Sequence, residues 1–297
     1  MRTLPPPGEA SGLVAVVTGG SSGIGAAAAR ALTTLGAEVA LVGRNEERTR
    51  RTAVALGAEP FVADFGRLSD VRALAARLLE RYPRIHVLAN NAGGILPRRE
   101  RTEDGNERTL QESVLAGFLL TSLLLPRLRE TAAAAPELVR VVATSSLGNV
   151  AGRIRLDDLD RSSGPWLGGW PAYCTAKLAN IVLTRELARR LDGSGVRAHA
   201  FHPGLVRTRF VRGIPLLARA AEVTGSSLAI SPEEGADPLV RLATAPELGV
   251  PSGTYFSRLR ANGLTSPQAD DPDLARRLWE AAEERVGQSP SARPSRQ

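Results

Sequence analysis

The sequence predicts an α/β protein, a single domain with a doubly wound parallel sheet and helices on both faces. Short apolar runs alternate with longer amphipathic segments, which is the pattern of repeated strand–helix units. The first run, Leu13–Thr18, is apolar almost throughout, as expected of a strand buried on both faces. A glycine-rich turn follows it and opens the first helix. A chain of 297 residues fits one such domain better than two.

The hydrophobic pattern places strands and helices in alternation. The predicted strands are Leu13–Thr18, Val39–Val42, Pro60–Ala63, Ile85–Ala89, Leu138–Thr144 and Val196–Phe201, with Gly253–Ser257 as a candidate last strand. The predicted helices are Gly23–Leu35, Glu46–Ala55, Ser69–Arg81, Glu107–Arg129 and Tyr173–Leu191, and Ser69 is the expected N-cap of the third.

The flanking segments differ in composition from this body. Residues 1–12 and 287–297 are rich in Pro, Gly and Ser, so we expect disordered tails around a domain spanning residues 13–286. The stretch 205–231 is apolar with glycine and proline breaks. It is predicted to be a substrate loop, either a mobile lid or a packed helical pair.

Composition excludes several classes. The formal charge of +7 is spread over amphipathic segments without a basic block, so no nucleic-acid partner is expected. The lone Cys174 rules out an intramolecular disulfide, and no cluster of ligands suggests a metal. No uncharged apolar run reaches membrane-spanning length and the N-terminus does not resemble a signal peptide, so no membrane anchor and a cytoplasmic location are expected.

The turn after the first strand has the pattern of a dinucleotide-binding loop, so the predicted sheet is of the Rossmann type. Glycines there allow positive φ and let the backbone approach a pyrophosphate, whose charge lies at the helix N-terminus. The residues expected to bind the cofactor at this loop are Gly19, Ser21, Ser22, Gly23, Ile24 and Gly25.

The end of the second strand distinguishes between cofactors. An acidic residue there would bind the adenosine ribose, whereas an arginine pairs with a 2′-phosphate. Arg44 occupies the position, so NADP(H) is predicted over NAD(H). Asp64, after the third strand, is either the acceptor for the adenine amino group or an N-cap or turn residue.

Tyr173 and Lys177 are four residues apart on a predicted helix, so their side chains are neighbours. An adjacent ammonium favours the phenolate, which fits the tyrosine for moving a proton to or from a carbonyl oxygen. Lys177 is the single lysine among 38 basic residues. A chain that uses arginine everywhere else indicates that this position needs an ammonium.

These motifs together resemble the short-chain dehydrogenase/reductase family, and within it the retinol-dehydrogenase-like branch. The resemblance runs nearly end to end. Its pieces are TGGSSGIG at Thr18–Gly25, NNAG at Asn90–Gly93, ATSS at Ala143–Ser146, YCTAKLAN at Tyr173–Asn180, HPG at His202–Gly204, and the later SPEEGA, SGTYFS and LARRLWE segments.

The resemblance assigns roles to individual residues. It implies that Ser146, rather than its neighbour Ser145, polarises the carbonyl, that Tyr173 is the acid/base, and that Lys177 binds the nicotinamide ribose and lowers the tyrosine pKa. Cys174 is expected to be a buried spacer rather than a reactive thiol. The further cofactor contacts that the resemblance implies are Asn90, Ala92, Gly93, Pro203, Gly204 and Thr208, with His202 as a turn residue before the proline.

One position departs from the family. The branch pattern V-N-H-L-G-H-F aligns with residues 112–118, so Ser113 replaces an asparagine, and Val114 and Gly117 replace two histidines. In the family that asparagine holds a water of the proton relay from the lysine. Ser113 indicates either a working enzyme with an adapted relay or a cofactor-binding protein with weakened catalysis, and we favour the first.

We therefore expect an NADP(H)-dependent oxidoreductase that interconverts a carbonyl and an alcohol on a hydrophobic small molecule. The alternative is a cofactor-binding regulatory or scaffold protein. Relatives often pair through the helices equivalent to Glu107–Arg129 and Tyr173–Leu191, so a homo-oligomer, dimer or tetramer, is a candidate assembly. The predicted pocket lining is Leu147, Trp166, Trp170, Leu205, Phe210 and the 207–231 segment.

Overall fold

The computed structural model describes residues 8–134, 138–205 and 230–288. These residues form one eight-stranded sheet in the order β3-β2-β1-β4-β5-β6-β7-β8. All strand pairs are parallel except β7 with β8. The strands are β1 Val14–Thr18, β2 Glu38–Gly43, β3 Glu59–Val62, β4 Val87–Asn90, β5 Val139–Thr144, β6 Val196–His202, β7 Tyr255–Ser257 and β8 Arg260–Ala261.

The five predicted helices alternate with the strands as expected, and two further helices follow β6 and β8. They are α1 Gly23–Thr34, α2 Glu46–Leu56, α3 Leu68–Arg81, α4 Arg108–Ala134, α5 Trp170–Arg190, α6 Pro232–Thr244 and α7 Pro272–Arg285. Two hydrophobic clusters cover the two faces of the sheet. One contains the buried sides of α3, α4, α5 and α7, and the other those of α1, α2 and α6. The predicted fold class is confirmed.

The order of the strands reverses at β1 and β4, because successive units wind away from each other on either side of this point. Ligands of open α/β sheets bind in the crevice outside the carboxyl ends of the strands at such a reversal. The glycine-rich loop after β1 and the NNAG segment after β4 therefore meet at this edge, together with the residues that follow β5 and β6.

Several local predictions differ from the structure. Ser69 is not the N-cap of α3, because the helix starts at Leu68 and the Leu68 amide donates to the Asp104 carboxylate at 2.9 Å. His202 is the last residue of β6 rather than a turn residue, since its backbone carbonyl accepts from the Arg258 amide.

Residues 8–12 and 287–288, which are expected from the sequence to belong to disordered tails, hydrogen-bond to the domain in the structure. The amides of Gly8 and Ala10 donate to the carbonyl of Leu35, and Ala10 is fully buried, so residues 8–12 pack on the domain. At the other end the Gln288 amide caps α7 by donating to the Glu283 carbonyl. Residues 1–7, 289–297 and nearly all of the predicted substrate loop, 206–229, lie outside the described residues.

Candidate active site

The loop between β1 and α1 has the geometry that an anionic ligand requires. Gly19 and Gly23 have positive φ angles of 65° and 56°. A Cβ on Gly25 would lie 2.3 Å from the Gly19 carbonyl oxygen, so no larger residue fits this turn. The first turn of α1 carries no acidic residue, and its N-cap, Ser22, makes no side-chain capping bond. The helix N-terminus is therefore suited to receive a phosphate charge.

Thr18 and Asn91 fix this loop to the neighbouring strands. The Thr18 hydroxyl donates to the Ala89 carbonyl at 3.0 Å and accepts from the Asn91 and Ala92 amides. The Asn91 side chain donates to the Thr18 carbonyl at 3.0 Å and accepts from the Thr144 hydroxyl at 3.2 Å. This role of Asn91 is not among the predictions from the sequence. The signal was the pairing of a strand-end threonine with an Asn-Asn segment.

Asn90 behaves differently from its neighbour. Its amide nitrogen donates to the Thr121 hydroxyl at 2.8 Å, and its buried oxygen has no hydrogen-bond partner among the described residues. A buried amide oxygen without a partner is costly, which indicates that a further donor belongs beside it. Ala92 and Gly93 follow on the loop. Gly93 has a φ of 141° and lies close against Ser113.

Arg44 lies where the sequence predicts a cofactor-discriminating residue. It follows β2, its side chain is 59% exposed, and its Nη1 lies 3.4 Å from Glu112 Oε1. Arg48 lies on the first turn of α2 and its Nε donates to the Ser21 hydroxyl at 3.3 Å. Arg48 thus contacts the glycine-rich loop, whereas the contact of Arg44 is with Glu112.

Asp64 adopts the turn role that was one of its two predicted readings. Its Oδ1 accepts from the Gly66 amide at 2.9 Å, while its own amide donates to Asp70. A carboxylate has two oxygens and several acceptor positions, so this turn leaves Asp64 able to accept a further hydrogen bond.

The three expected catalytic side chains lie together at the end of β5 and on α5. Burial raises the pKa of Tyr173 to about 12, and a hydrogen bond with Ser146 acts in the opposite direction. The Lys177 ammonium lies 5.6 Å from the centroid of the Tyr173 ring. Its Nζ donates to the Thr144 carbonyl at 2.8 Å, and burial lowers its pKa to about 8.

Ser146 and Ser145 have separate tasks. The Ser145 hydroxyl is buried and donates to the Lys177 carbonyl at 2.7 Å, which joins β5 to α5. The Ser146 hydroxyl accepts from the Gly148 amide at 3.1 Å and faces Tyr173. Only the second serine of the pair is thus available beside the tyrosine hydroxyl.

Cys174 is completely buried beside this group. Burial raises the pKa of its thiol to about 12, so the reactive thiolate is strongly disfavoured at neutral pH. A Cβ on Gly148 would lie 3.2 Å from its sulfur, which shows that the thiol packs behind the turn that follows Ser146.

Ser113 lies on a single π-helical turn, Gln111–Leu115, within α4. Such turns occur often at functional sites because they reposition side chains. The Ser113 hydroxyl accepts from the Gly94 amide at 3.4 Å, and a Cβ on Gly93 would lie only 2.8 Å from the same oxygen. The serine side chain, which is shorter than the asparagine of the family pattern, therefore lies directly against the loop that follows β4.

A small cavity that is open to solvent extends from Ser113 between the sheet and helices α4 and α5. Several polar side chains line it beside apolar ones. The polar lining residues are Thr18, Asn90, Glu112, Ser113, Thr121, Asn180 and Thr184. Gly117, which replaces a histidine of the family pattern, also lines the cavity, and a Cβ there would lie 3.3 Å from Asn90 Cγ.

The predicted substrate lining does not border this cavity. Trp170 instead packs near Tyr173, with 5.7 Å between ring centroids, and Trp166 donates from Nε1 to the Leu96 carbonyl. Leu147 and Leu205 are both more than half exposed. Phe210 and Thr208 lie outside the described residues.

Pro203 and Gly204 follow β6 at the same edge of the sheet. Gly204 has a φ of 103°, and a Cβ there would lie 2.8 Å from the Ile230 side chain. The chain therefore needs glycine at this turn.

Two further features concern metal binding and membrane insertion. In residues 8–134, 138–205 and 230–288, no group of three potential metal ligands occurs. By length and composition α4 could span a membrane, but 67% of its most apolar window is buried inside the domain. This is weak evidence for a membrane helix, because the core helix of a globular domain has the same properties.

A dinucleotide-type loop beside a serine, a tyrosine and a lysine defines the class of protein, an oxidoreductase of the nicotinamide-dependent α/β type. The family model described as short chain dehydrogenase matches residues 13–156. The chain is 42% identical to a protein assigned as daunorubicin C-13 ketoreductase DnrU from Streptomyces sp. (strain C5), covering 95% of each. It is 37% identical to human retinol dehydrogenase 13, covering 95% of this chain and 87% of that protein.

Solved structures give the same result. An uncharacterised protein from Mycobacterium paratuberculosis superposes with a TM-score of 0.74 at 31% identity, covering 94% of each chain. The RhlG/NADP active-site complex from Pseudomonas aeruginosa superposes with a TM-score of 0.67 at 28% identity, covering 85% of this chain and 97% of that one. The chain therefore belongs to the short-chain dehydrogenase/reductase family, in its retinol-dehydrogenase-like branch.

Proposed function

We propose that the protein is an NADP(H)-dependent oxidoreductase that interconverts a carbonyl and an alcohol on a hydrophobic small molecule. The observation that carries the proposal is the hydrogen bond between Ser146 and Tyr173 with the buried Lys177 ammonium beside the tyrosine ring. The alternative of a cofactor-binding regulatory protein finds no support, since the named relatives are dehydrogenases and a reductase.

The binding residues suit a phosphorylated dinucleotide. The glycine-rich loop and the α1 N-terminus would hold its pyrophosphate, and Arg44 would pair with a 2′-phosphate. Asp64 would accept from the adenine, and Pro203, Gly204 and the Ala92-Gly93 backbone would contact the nicotinamide side. When bound, the nicotinamide ring supplies or accepts the hydride.

Tyr173 is assigned the proton transfer. In the reduction direction its hydroxyl gives a proton to the substrate oxygen, while Ser146 donates a hydrogen bond to the same oxygen. Burial holds the pKa of Tyr173 high, which suits a proton donor, whereas alcohol oxidation requires nearby positive charge to stabilise the phenolate. Lys177 supplies that charge.

Ser113 and the cavity beneath it are assigned to proton exchange with solvent. The buried oxygen of Asn90 has no partner in the described residues and borders the same cavity. A water there would accept from Ser113 and donate to Asn90, a polar pairing that makes buried water favourable. This arrangement would do what the family asparagine does with a longer side chain.

The substrate class follows from the apolar groups around Tyr173. Trp170 packs on the tyrosine and Leu147 is 52% exposed directly after Ser146. The names of the relatives, a daunorubicin C-13 ketoreductase and a retinol dehydrogenase, support this proposal. Location in the cytoplasm stays a prediction that cell fractionation tests.

The test is NADPH consumption with a panel of apolar ketones and aldehydes. Tyr173→Phe removes the proton donor and should lower kcat by about 100-fold or more while cofactor binding persists. Tyr82→Phe is the matched control, because Tyr82 is also a buried tyrosine, and its hydroxyl donates to Glu59 at 3.4 Å, outside the proposed catalytic group. Its kcat should stay within a few-fold of wild type. Cofactor binding without turnover above Tyr173→Phe in wild type would refute the proposal.

A further inference from the structure

Glu112 connects the cofactor-discriminating arginine to the π-helical turn of α4. Its Oε1 accepts from Arg108 Nε at 2.7 Å and lies 3.4 Å from Arg44 Nη1. The Glu112 side chain is only 15% exposed, and Glu112 immediately precedes Ser113. The carboxylate is thus held between two guanidinium groups at the adenosine end of the site.

The two arginines are held to different extents. Arg108 also pairs with Glu100 at 3.2 Å, so two carboxylates and a short bond fix its position. In the described part of the chain, Glu112 is the one ion-pair partner of Arg44, and the contact is the longer of the two that Glu112 makes. Arg44 is therefore the partner that an incoming anion removes more easily.

A 2′-phosphate and the Glu112 carboxylate would compete for the same guanidinium. The phosphate carries more charge and accepts two parallel hydrogen bonds from one guanidinium, so it displaces the carboxylate from Arg44. Loss of the Arg44–Glu112 contact then reduces the net free energy of cofactor binding. Glu112 keeps its contact with Arg108 when Arg44 leaves, so its largely buried charge stays compensated. A cofactor without the 2′-phosphate leaves the Arg44–Glu112 contact intact.

We propose that Glu112 is a specificity-determining residue that competes with the 2′-phosphate for Arg44 and so sets the size of the NADP(H) preference. The proposal rests on the NADP(H) assignment above. Glu112 is a positioning residue, since it acts through Arg44 and not on the reacting atoms. Removal of the Glu112 carboxylate should therefore tighten the binding of NADP(H) and leave the binding of NAD(H) unchanged.

The size of the effect follows from the exposure of Arg44. Exposed ion pairs change an equilibrium constant by about fivefold at most, and salt weakens them. We therefore expect Glu112→Gln, which keeps the side-chain length, to lower the Kd of NADPH by about two- to fivefold at low salt. The Kd of NADH should stay unchanged, and the difference should shrink as ionic strength rises.

The experiment measures NADPH and NADH binding to the full chain by calorimetry, with 2′,5′-ADP and 5′-AMP as fragments that isolate the phosphate. Glu100→Gln is the matched control, because it removes a carboxylate from Arg108 but not from Arg44. It should leave the NADPH-to-NADH ratio unchanged. Equal tightening of both cofactors by Glu112→Gln, weaker NADPH binding, or no change would each overturn the proposal.

Arg44→Ala separates this proposal from the one on which it depends. If wild type prefers NADPH and Arg44→Ala loses that preference, the cofactor assignment stands, and the Glu112 result then decides the competition alone. If wild type binds both cofactors equally and Arg44→Ala changes neither, both proposals fail. In the double variant of Arg44 and Glu112, the effect of Glu112→Gln should disappear.

Discussion

Acid should destabilise the domain through His199, which is completely buried on β6. Burial and the charges of Arg140 and Arg197 lower the pKa of His199 to about 4, against an ordinary value of 6.5. Between these two values the unfolded chain binds a proton that the folded chain does not. The stability is therefore complete above pH 6.5 and falls as the pH drops towards 4.

The magnitude follows from the two pKa values. Linkage between about pH 7 and about pH 4.5 gives a loss of about 2 kcal/mol in the free energy of unfolding from this one residue. His199→Gln removes the titration while keeping a polar side chain of similar size. We expect the difference between the two pH values to shrink by about 2 kcal/mol in the variant.

Urea unfolding followed by circular dichroism at both pH values measures this difference. His202→Gln provides an independent comparison, because burial and Arg258 also lower the pKa of His202 to about 4. Each variant should remove a similar part of the acid sensitivity, and the double variant should remove the sum. An acid sensitivity in His199→Gln equal to that of wild type would show that the imidazole titrates normally in the folded state.

Three further predictions concern the site and its support. Gly25→Ala places a Cβ against the Gly19 carbonyl and should weaken NADPH binding at least about tenfold. The control Gly57→Ala, at a φ of 64° in open space, should lower the free energy of unfolding by about 1 kcal/mol and leave NADPH binding unchanged. Equal NADPH binding by the two variants in calorimetry would contradict the role given to the glycine-rich loop. Ser113→Asn should preserve or raise kcat in steady-state assays, and a large drop would mean that the serine is specifically adapted. Arg140→Leu removes the donors to three carbonyls at the end of α6 and should lower the free energy of unfolding by about 2–4 kcal/mol in urea titrations. An unchanged free energy of unfolding would show that these hydrogen bonds do not stabilise the domain.

The structure bears on how copies of the chain pair. Helix α7 packs across α4 and α5, with the Trp279 ring 4.7 Å from that of Phe118 and the Arg190 guanidinium over the same indole. The outer surface of this helix pair is therefore partly covered by the chain itself. A dimer or tetramer through these helices stays a prediction, and sedimentation of wild type and Trp279→Ala tests it.

The alternation of strands and helices as far as β6, and the polar residues that follow these strands, can be predicted from the sequence. Apolar runs of strand length and a glycine-rich turn are local signals, and Tyr173 and Lys177 are neighbours through helical periodicity alone. The lone lysine is buried and its ammonium donates to the Thr144 carbonyl at 2.8 Å, a position that suits a compact point charge.

Which polar groups meet across the sheet depends on the packing of the whole domain. Asn91 joins three strands, Asn90 points into a cavity, and Glu112 reaches Arg44 across 68 positions of the chain. Nothing in a local pattern predicts such contacts, because they depend on how separate strands and helices pack. For the same reason Ser69 is a poor guide to the start of α3, which a distant carboxylate caps. The Tyr173–Lys177 pair could be read from helical spacing, whereas the contact between Glu112 and Arg44 could be found only in the packed structure.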